Sequence, residues 1–203
     1  MGSMKQSLKR LVIDSATAYL YLALYEDQDK LASVYQIGRN NHSETLMVEL
    51  QRLMTEAELK PKDLDEIYVG IGPGSYTGVR IGVVVAKILG YSLNVPIYTV
   101  SSLALLASGS SESMIVPWID ARRGYAFIGV YGYDKGVLKV LREDSYADLA
   151  SFKEHTQGEY VDTNEPRFDI ILQSGLYEKV EDVHTLAPIY LRKTEAETNL
   201  SKG

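Results

Sequence analysis

Two aspartates, each at the end of a short apolar segment, are the side chains best placed to do chemistry. Residues 8–14 and 114–120 are mainly apolar, end in Asp14 and Asp120, and lead into polar turns. A carboxylate in such a turn can act as a base or hold a hydrated magnesium ion beside a phosphate. Aspartate at a strand end is also a common turn-former. The pair therefore indicates either an enzyme that handles phosphate groups, such as an ATPase or small-metabolite kinase, or two structural turns.

A glycine-rich turn, residues 72–78, joins a predicted strand to a predicted helix. This arrangement can aim backbone N–H groups of Gly74 and Ser75 at an anion. The spacing is not a dinucleotide fingerprint, and the Gly-Lys-Ser/Thr ending of a phosphate loop is missing. Arg80 lies in the first helical turn, where the helix dipole disfavours a cation, so it is a candidate for an anion contact. The alternative is a tight strand-to-helix turn.

Small residues recur every four positions along the helix that follows. Gly78, Gly82, Ala86 and Gly90 fall on one helical face. An interior glycine costs a helix about 1 kcal/mol relative to alanine, so such a stripe needs a reason. It allows another helix to approach closely, either from a second chain or from the helix near residues 46–54 of this chain. The favoured interpretation is an interface with a second chain, in which case the larger apolar residues face the sheet: Ile81, Val84, Val85 and Ile88.

Neither a thiol site nor a metal centre is indicated by the composition. The chain has no cysteine, and its three histidines, His42, His155 and His184, are widely separated. His42 lies between Asn41 and Glu44, which have the spacing of a helix cap and its capping-box partner. A metalloprotease would need several ligands and a water-activating carboxylate, and the sequence offers no such set. We therefore expect no bound metal.

Apolar periodicity predicts the same order of elements in both halves of the chain. The first half follows the order β-β-β-α-β-α-β-α, and the second begins β-β-β-α again, which is the plan of the α/β actin-like ATPase (ASKHA) fold. In the second half we predict strands and helices at the following positions: strands 114–120, 125–131, 137–141, 159–161 and 168–172, and helices 146–155 and 176–180. The predicted lobes are residues 8–102 and a smaller 103–192, with residues 1–7 as a tag and 193–203 as a tail.

The overall composition excludes several classes of protein. The chain has 203 residues, of which 45% are hydrophobic and 24% charged, and a net charge of −6. These values are ordinary for a globular protein, and the acidic balance argues against nucleic-acid binding by this chain alone. No apolar run approaches the roughly 18 residues of a membrane span, and no signal peptide is evident. We expect a cytoplasmic protein that does not bind membranes.

The glycine-rich turn carries a resemblance to a known family. Residues 72–82, with the sequence Gly-Pro-Gly-Ser-Tyr-Thr-Gly-Val-Arg-Ile-Gly, and then Ala86-Lys87, closely resemble the signature of the bacterial TsaB (YeaZ) family. Residues 41–44, 120–122 and 188–192 are similar to further landmarks of that family. The resemblance spans roughly residues 8–192, and the second half is shorter than is usual for the family.

The resemblance implies an actin-like fold and a role in making threonylcarbamoyladenosine in tRNA. It implies a scaffold protein that binds and activates a TsaD-type transferase and engages a TsaE-type ATPase. ATP or ADP and metal would be held by those partners, and tRNA would be bound only through the complex. The two first-lobe helices, here residues 41–59 and 78–93, would form the partner interface, with a homodimer possible in isolation. The expected interface residues are Leu46, Leu50, Leu53, Met54, Gly78, Ile81, Gly82, Val85, Ala86 and Leu89.

The residues themselves favour a pseudo-enzyme over an active member of the fold. Nucleotide-binding members have glycine where phosphates approach the first aspartate turn, and this chain has Ala16 there. The second aspartate turn lacks the paired glycines of the other phosphate loop in nucleotide-binding members. The family resemblance also implies a metal-binding paralogue with a two-histidine motif, and this chain has only His42 at that place. We therefore expect no catalytic residues and no protease activity despite the old glycoprotease (M22) label of the superfamily. The degenerate nucleotide-cleft turns would comprise Asp14, Thr17, Gly74, Ser75, Arg80, Asp120 and Arg122.

Overall fold

The chain contains two successive β-β-β-α units, each followed by further strands and helices. The computed structural model describes residues 7–38 and 42–191. The first unit and its extension contain β1 (Lys9–Asp14), β2 (Tyr19–Glu26), β3 (Asp29–Ile37), α1 (His42–Glu56), β4 (Glu66–Gly70), α2 (Tyr76–Leu93), β5 (Ile97–Val100) and α3 (Ser102–Ser108). The remainder contains β6 (Ile115–Asp120), β7 (Tyr125–Asp134), β8 (Val137–Asp148), α4 (Leu149–His155), β9 (Glu159–Val161), α5 (Phe168–Ser174) and β10 (Glu178–Lys179).

The two sheets share a strand order, which confirms the predicted actin-like architecture. The first sheet has the order β3-β2-β1-β4-β5-β10, and the second has the order β8-β7-β6-β9. In each unit the first strand is antiparallel to the second and parallel to the strand that follows the helix. Within the described residues, the second sheet has four strands and no counterpart of β5.

The helices pack against different faces of the two sheets. One face of the first sheet packs against α1 and α2, and its other face packs against α3, α5 and the second sheet. A smaller cluster buries Phe152 of α4 on the outer face of the second sheet. Several of the many tyrosines lie between the two sheets, where ring area is buried while hydroxyl groups reach polar partners. These include Tyr21, Tyr25, Tyr68 and Tyr131.

Several elements of the second half differ from the sequence prediction in length or in type. Strand β8 continues beyond residue 141 because its pairing with β7 runs to Asp148, whose side chain then caps α4. Residues 168–172, predicted as a strand, form α5, since a short apolar run is compatible with either structure when it is buried. Residues 176–180, predicted as a helix, contain strand β10 instead. The predicted cap Asn41 and tail 193–203 lie outside the described residues.

The C-terminal segment returns to the first lobe. Strand β10 pairs with β5, and the N–H of Ile189 donates to the carbonyl of Ile71 at 2.8 Å. Leu186 is buried in the core beneath α2, and the Lys87 ammonium group of α2 donates to the carbonyls of residues 184 and 186. Residues 178–190 therefore pack on the first lobe, although the sequence placed them in the second. In the part of the chain that the structure describes, no helix is long and apolar enough to span a membrane.

Candidate functional site

The Asp14 carboxylate lies in a buried hydrogen-bond network at the end of β1. The side chain is 3% exposed, and its Oδ1 atom accepts hydrogen bonds from the Ala16 N–H and the Ser102 hydroxyl, both at 3.0 Å. Ser102 begins α3 and also accepts a hydrogen bond from the N–H of Gly72. The Asp14 turn, the glycine-rich turn and the start of α3 are thus joined by one polar cluster.

The glycine-rich turn packs directly against the Asp14 turn. The Ser75 N–H donates to the Ala16 carbonyl at 2.7 Å, and a Cβ on Gly74 would overlap that carbonyl oxygen. The Ser15 hydroxyl donates to the carbonyl of Gly78 at 2.7 Å and accepts from the N–H of Gly82 at 3.1 Å. The glycines therefore allow two backbone segments of this chain to contact each other.

In both aspartate turns the carboxylate accepts a hydrogen bond from a backbone N–H of its own turn. Asp14 accepts the N–H of Ala16, and Asp120 accepts the N–H of Arg122 at 2.8 Å, so each turn uses its own carboxylate to satisfy a donor that a phosphate would need. Thr17 bonds to the backbone of Tyr19. Asp14 is buried whereas Asp120 is exposed, so the predicted symmetric pair is unequal. Among the described residues, no group of three or more acidic, histidine or cysteine side chains could hold a metal.

Asp14→Asn is expected to stabilise the protein at neutral and alkaline pH. Burial raises the pKa of Asp14 from 3.8 to about 6, because desolvation disfavours its charge more than the bonds from Ala16 and Ser102 favour it. A group with a raised folded-state pKa contributes its full stability below its unfolded pKa and loses it as the pH rises through the folded value. The shift corresponds to about 3 kcal/mol.

Urea unfolding at several pH values measures this effect. The variant should exceed the wild type by up to about 3 kcal/mol at pH 8, and the difference should disappear below about pH 3. Because the free energies of unfolding of the two proteins are compared at each pH, the contributions of the other carboxylates cancel in the difference. A difference that stays constant with pH would contradict a raised pKa for Asp14.

The small-residue stripe of α2 faces the sheet of its own chain, so the prediction that it faces a second chain is wrong. Gly78, Gly82, Ala86 and Gly90 are all buried. A Cβ on Gly82 would lie 2.8 Å from the Ser15 hydroxyl, and one on Gly78 would overlap the Ser15 carbonyl. The stripe exists because α2 crosses very close to β1 and its turn.

The side of α2 opposite the stripe is apolar and exposed. Val84, Ile88 and Tyr91 lie at i, i+4 and i+7 and are 52%, 60% and 70% exposed. Met47 and Val48 of α1 are 50% and 65% exposed. Both helices lie on the same face of the sheet and contact each other. We call these five residues the exposed helix face. The sequence analysis missed it because the pattern assigned Val84 and Ile88 to the sheet.

The interface residues expected from the family resemblance mostly lie in the core. Leu46, Leu50, Leu53 and Met54 of α1 are buried against the first sheet, so they support the helix rather than reach a partner. Ile81, Val85 and Leu89 of α2 are half-buried beside that core. The burial of these residues does not test the prediction that α1 and α2 form the partner interface. The large apolar residues that the two helices expose are not the ones that the resemblance implied.

Arg80 is held by two aromatic rings rather than by an acidic group. Its Nε donates to the Tyr190 hydroxyl at 2.7 Å, and its guanidinium carbon lies 4.1 Å from the centroid of the Tyr76 ring. This hydrogen bond is the main reason that the pKa of Arg80 is raised. Cation–π contacts of this kind compensate for the unfavourable position of a cation at a helix N-terminus.

Comparison with known proteins identifies relatives of both the domain and the whole chain. The family model described as "TsaD: tRNA N6-adenosine threonylcarbamoyltransferase" matches residues 34–169. The "tRNA threonylcarbamoyladenosine biosynthesis protein TsaB" of Bacillus subtilis (strain 168) is 34% identical over 92% of this chain and 95% of its own length. The protein of the same name from Escherichia coli (strain K12) is 30% identical over 63% of this chain and 57% of its own length. The structure "YeaZ from Pseudomonas aeruginosa" superposes with a TM-score of 0.77 over 91% of this chain and all of that one, at 22% identity.

The repeated β-β-β-α units, their common strand order and the matched domain define a protein of the actin-like ATPase type. Identity of 34% across nearly the full length of both chains narrows this class further. The chain belongs to the TsaB (YeaZ) family.

Proposed function

We propose that this chain is the non-catalytic scaffold subunit of the bacterial system that makes threonylcarbamoyladenosine in tRNA. In this role it binds and activates a TsaD-type transferase and engages a TsaE-type ATPase. The names of its relatives in Bacillus subtilis and Escherichia coli support the pathway. The match to a TsaD domain model supports a partner of similar architecture, because related folds can pair through equivalent surfaces.

The exposed helix face is the single observation that carries this proposal. Five large apolar side chains on two adjacent helices leave a surface of the kind that marks a protein interaction site. The stripe of glycines beneath it holds α2 rigidly on the sheet, so the face is preorganised for a helical partner. The predicted homodimer of the isolated chain would use the same face until the transferase displaces it.

The two aspartate turns support the absence of a catalytic role. The Ala16 and Arg122 N–H groups donate to the carboxylates of their own turns, and the glycine-rich turn packs against Ala16. In the proposed assembly ATP or ADP and metal are bound by the partner subunits, and tRNA binds to the complex. The alternative of an ATPase or kinase that uses Asp14 and Asp120 has no support from this geometry.

Light scattering coupled to size-exclusion chromatography tests the proposal. The chain is run alone and mixed with the TsaD-type protein of the same organism at micromolar concentration. A new peak with the mass of a one-to-one complex is expected, and this mixture with the ATPase subunit should modify tRNA whereas the transferase alone should not. Unchanged elution of both proteins, or magnesium-dependent ATP hydrolysis by the chain alone, would overturn it.

A further inference from the structure

The turn between β6 and β7 places two arginines in a backbone conformation that suits glycine. The φ angles of Arg122, Arg123 and Gly124 are 69°, 57° and 82°. The Tyr125 N–H donates to the Arg122 carbonyl at 3.1 Å, which closes a β-turn with Arg123 and Gly124 at its centre, within the loop between the paired residues Asp120 and Ala126. Such turns normally take Asn-Gly or Asp-Gly, because a long side chain in the left-handed region is strained. Strain of this kind at an exposed site points to a function.

Neither arginine has an acidic partner. Both are exposed, and within residues 7–38 and 42–191 neither guanidinium group takes part in an ion pair, a hydrogen bond or a ring contact. Aspartates are nearby in the chain, but Asp120 accepts the N–H of Arg122, and Asp148 accepts the N–H of Ser151 at 2.8 Å. The other described arginines are all engaged: Arg10, Arg52 and Arg167 in ion pairs, and Arg80 and Arg142 over aromatic rings.

An exposed aromatic residue follows the two arginines in the sequence. Tyr125 directly follows the turn, and one face of its ring stacks on Tyr146 with centroids 4.9 Å apart and an angle of 7°. The ring is still 40% exposed, so the stack leaves area on its free face and edges. A stacked and partly exposed ring that follows two exposed arginines in the chain can receive a base while the arginines receive phosphates.

We propose that the Arg122–Arg123 turn and Tyr125 form a contact site for tRNA. This inference rests on the proposed function, which supplies the RNA. Arg122 and Arg123 bind backbone phosphates through their planar forks, and Tyr125 stacks with an unpaired base or the edge of a loop. Because the chain carries a net charge of −6, this local site, and not the overall field, provides the attraction.

A double variant, Arg122→Asn with Arg123→Asn, tests the site against a matched control. Lys135→Asn removes a cation from the equivalent left-handed position of the β7–β8 turn, where Lys135 and Gly136 have φ angles of 50° and 81°. Fluorescence anisotropy measures the Kd of a transcribed tRNA that reads an ANN codon, with the complex and with the chain alone, over a range of salt. The double variant should bind at least about tenfold more weakly, with a salt slope smaller by about two. Lys135→Asn should stay within about twofold.

The thermal midpoint and the complex peak separate the outcomes. Asparagine suits the left-handed turn, so the double variant should melt no lower than the wild type, and a loss of tRNA affinity cannot then be a loss of fold. Unchanged tRNA affinity would overturn the inference while leaving the scaffold proposal intact. Loss of the transferase or ATPase subunit from the double variant, with tRNA affinity retained, would assign the turn to a protein contact and also overturn it. If no complex forms, the scaffold proposal fails, and this inference, which takes its RNA from that proposal, is overturned with it.

Discussion

Ile88→Glu is expected to abolish association with the TsaD-type partner while the chain remains folded. Ile88 lies between Val84 and Tyr91 on the α2 part of the exposed helix face, so glutamate costs little in the free chain. In the complex the carboxylate would be buried against apolar side chains without a partner, which costs about 3 kcal/mol or more, or at least a hundredfold in Kd. Calorimetric titration and tRNA modification by the reconstituted system measure the loss.

A matched surface variant controls for the added charge. Leu141→Glu places the same side chain at an exposed apolar position on β8, away from the two helices. It should bind the partner and support modification as the wild type does. Equal binding by Ile88→Glu and the wild type would show that the exposed helix face is not the docking surface, and similar losses in both variants would indicate a general effect of charge.

Gly78→Leu is expected to unfold the chain or to leave it severely destabilised. The new Cβ would overlap the Ser15 backbone carbonyl, and backbone at that position cannot move without breaking the bonds between the two turns. Overpacking against fixed backbone, with loss of these bonds, is expected to cost about 3–5 kcal/mol, a large part of the stability of an ordinary domain. Urea unfolding followed by circular dichroism measures the loss.

Thr77→Leu is the control for Gly78→Leu. Thr77 is adjacent in the first turn of α2 but is exposed, so a larger side chain there should change stability by less than about 0.5 kcal/mol. A Gly78→Leu chain with wild-type stability that no longer binds its partner would mean that the stripe faces a second chain after all. We expect the reverse: binding should be lost only together with the fold.

Much of the fold could be predicted from local pattern. Periodicity, turn residues and strand-end aspartates predicted the repeated β-β-β-α order, because these signals depend on neighbours in sequence. The prediction failed for α5 and β10, which are short and owe their conformation to burial between the sheets and to pairing with β5. Such contacts link distant parts of the chain. A segment of five residues is too short for its apolar pattern to distinguish a helix from a strand.

The candidate site, like the fold, could be predicted from the sequence only in part. The glycine-rich turn and Asp14 could be recognised from residue type and spacing, and the structure brings them together. The exposed face of α2 could not be predicted from the sequence, because both faces of the helix consist of apolar or small residues. Which face is exposed depends on how closely the helix crosses β1. The strained arginines were visible only as a basic pair, since the sign of a φ angle is not encoded by the residue type.

The return of the C-terminal segment to the first lobe has a consequence for biosynthesis. The first sheet acquires its last strand, and Leu186 enters the first core, only after the entire second lobe has been made. At ordinary translation speeds this delay is on the order of ten seconds, during which the edge of β5 and the apolar groove for Leu186 are uncovered on the ribosome. The N-terminal half is therefore a late-maturing unit, and α2 becomes fully supported only after residues 178–190 have been made.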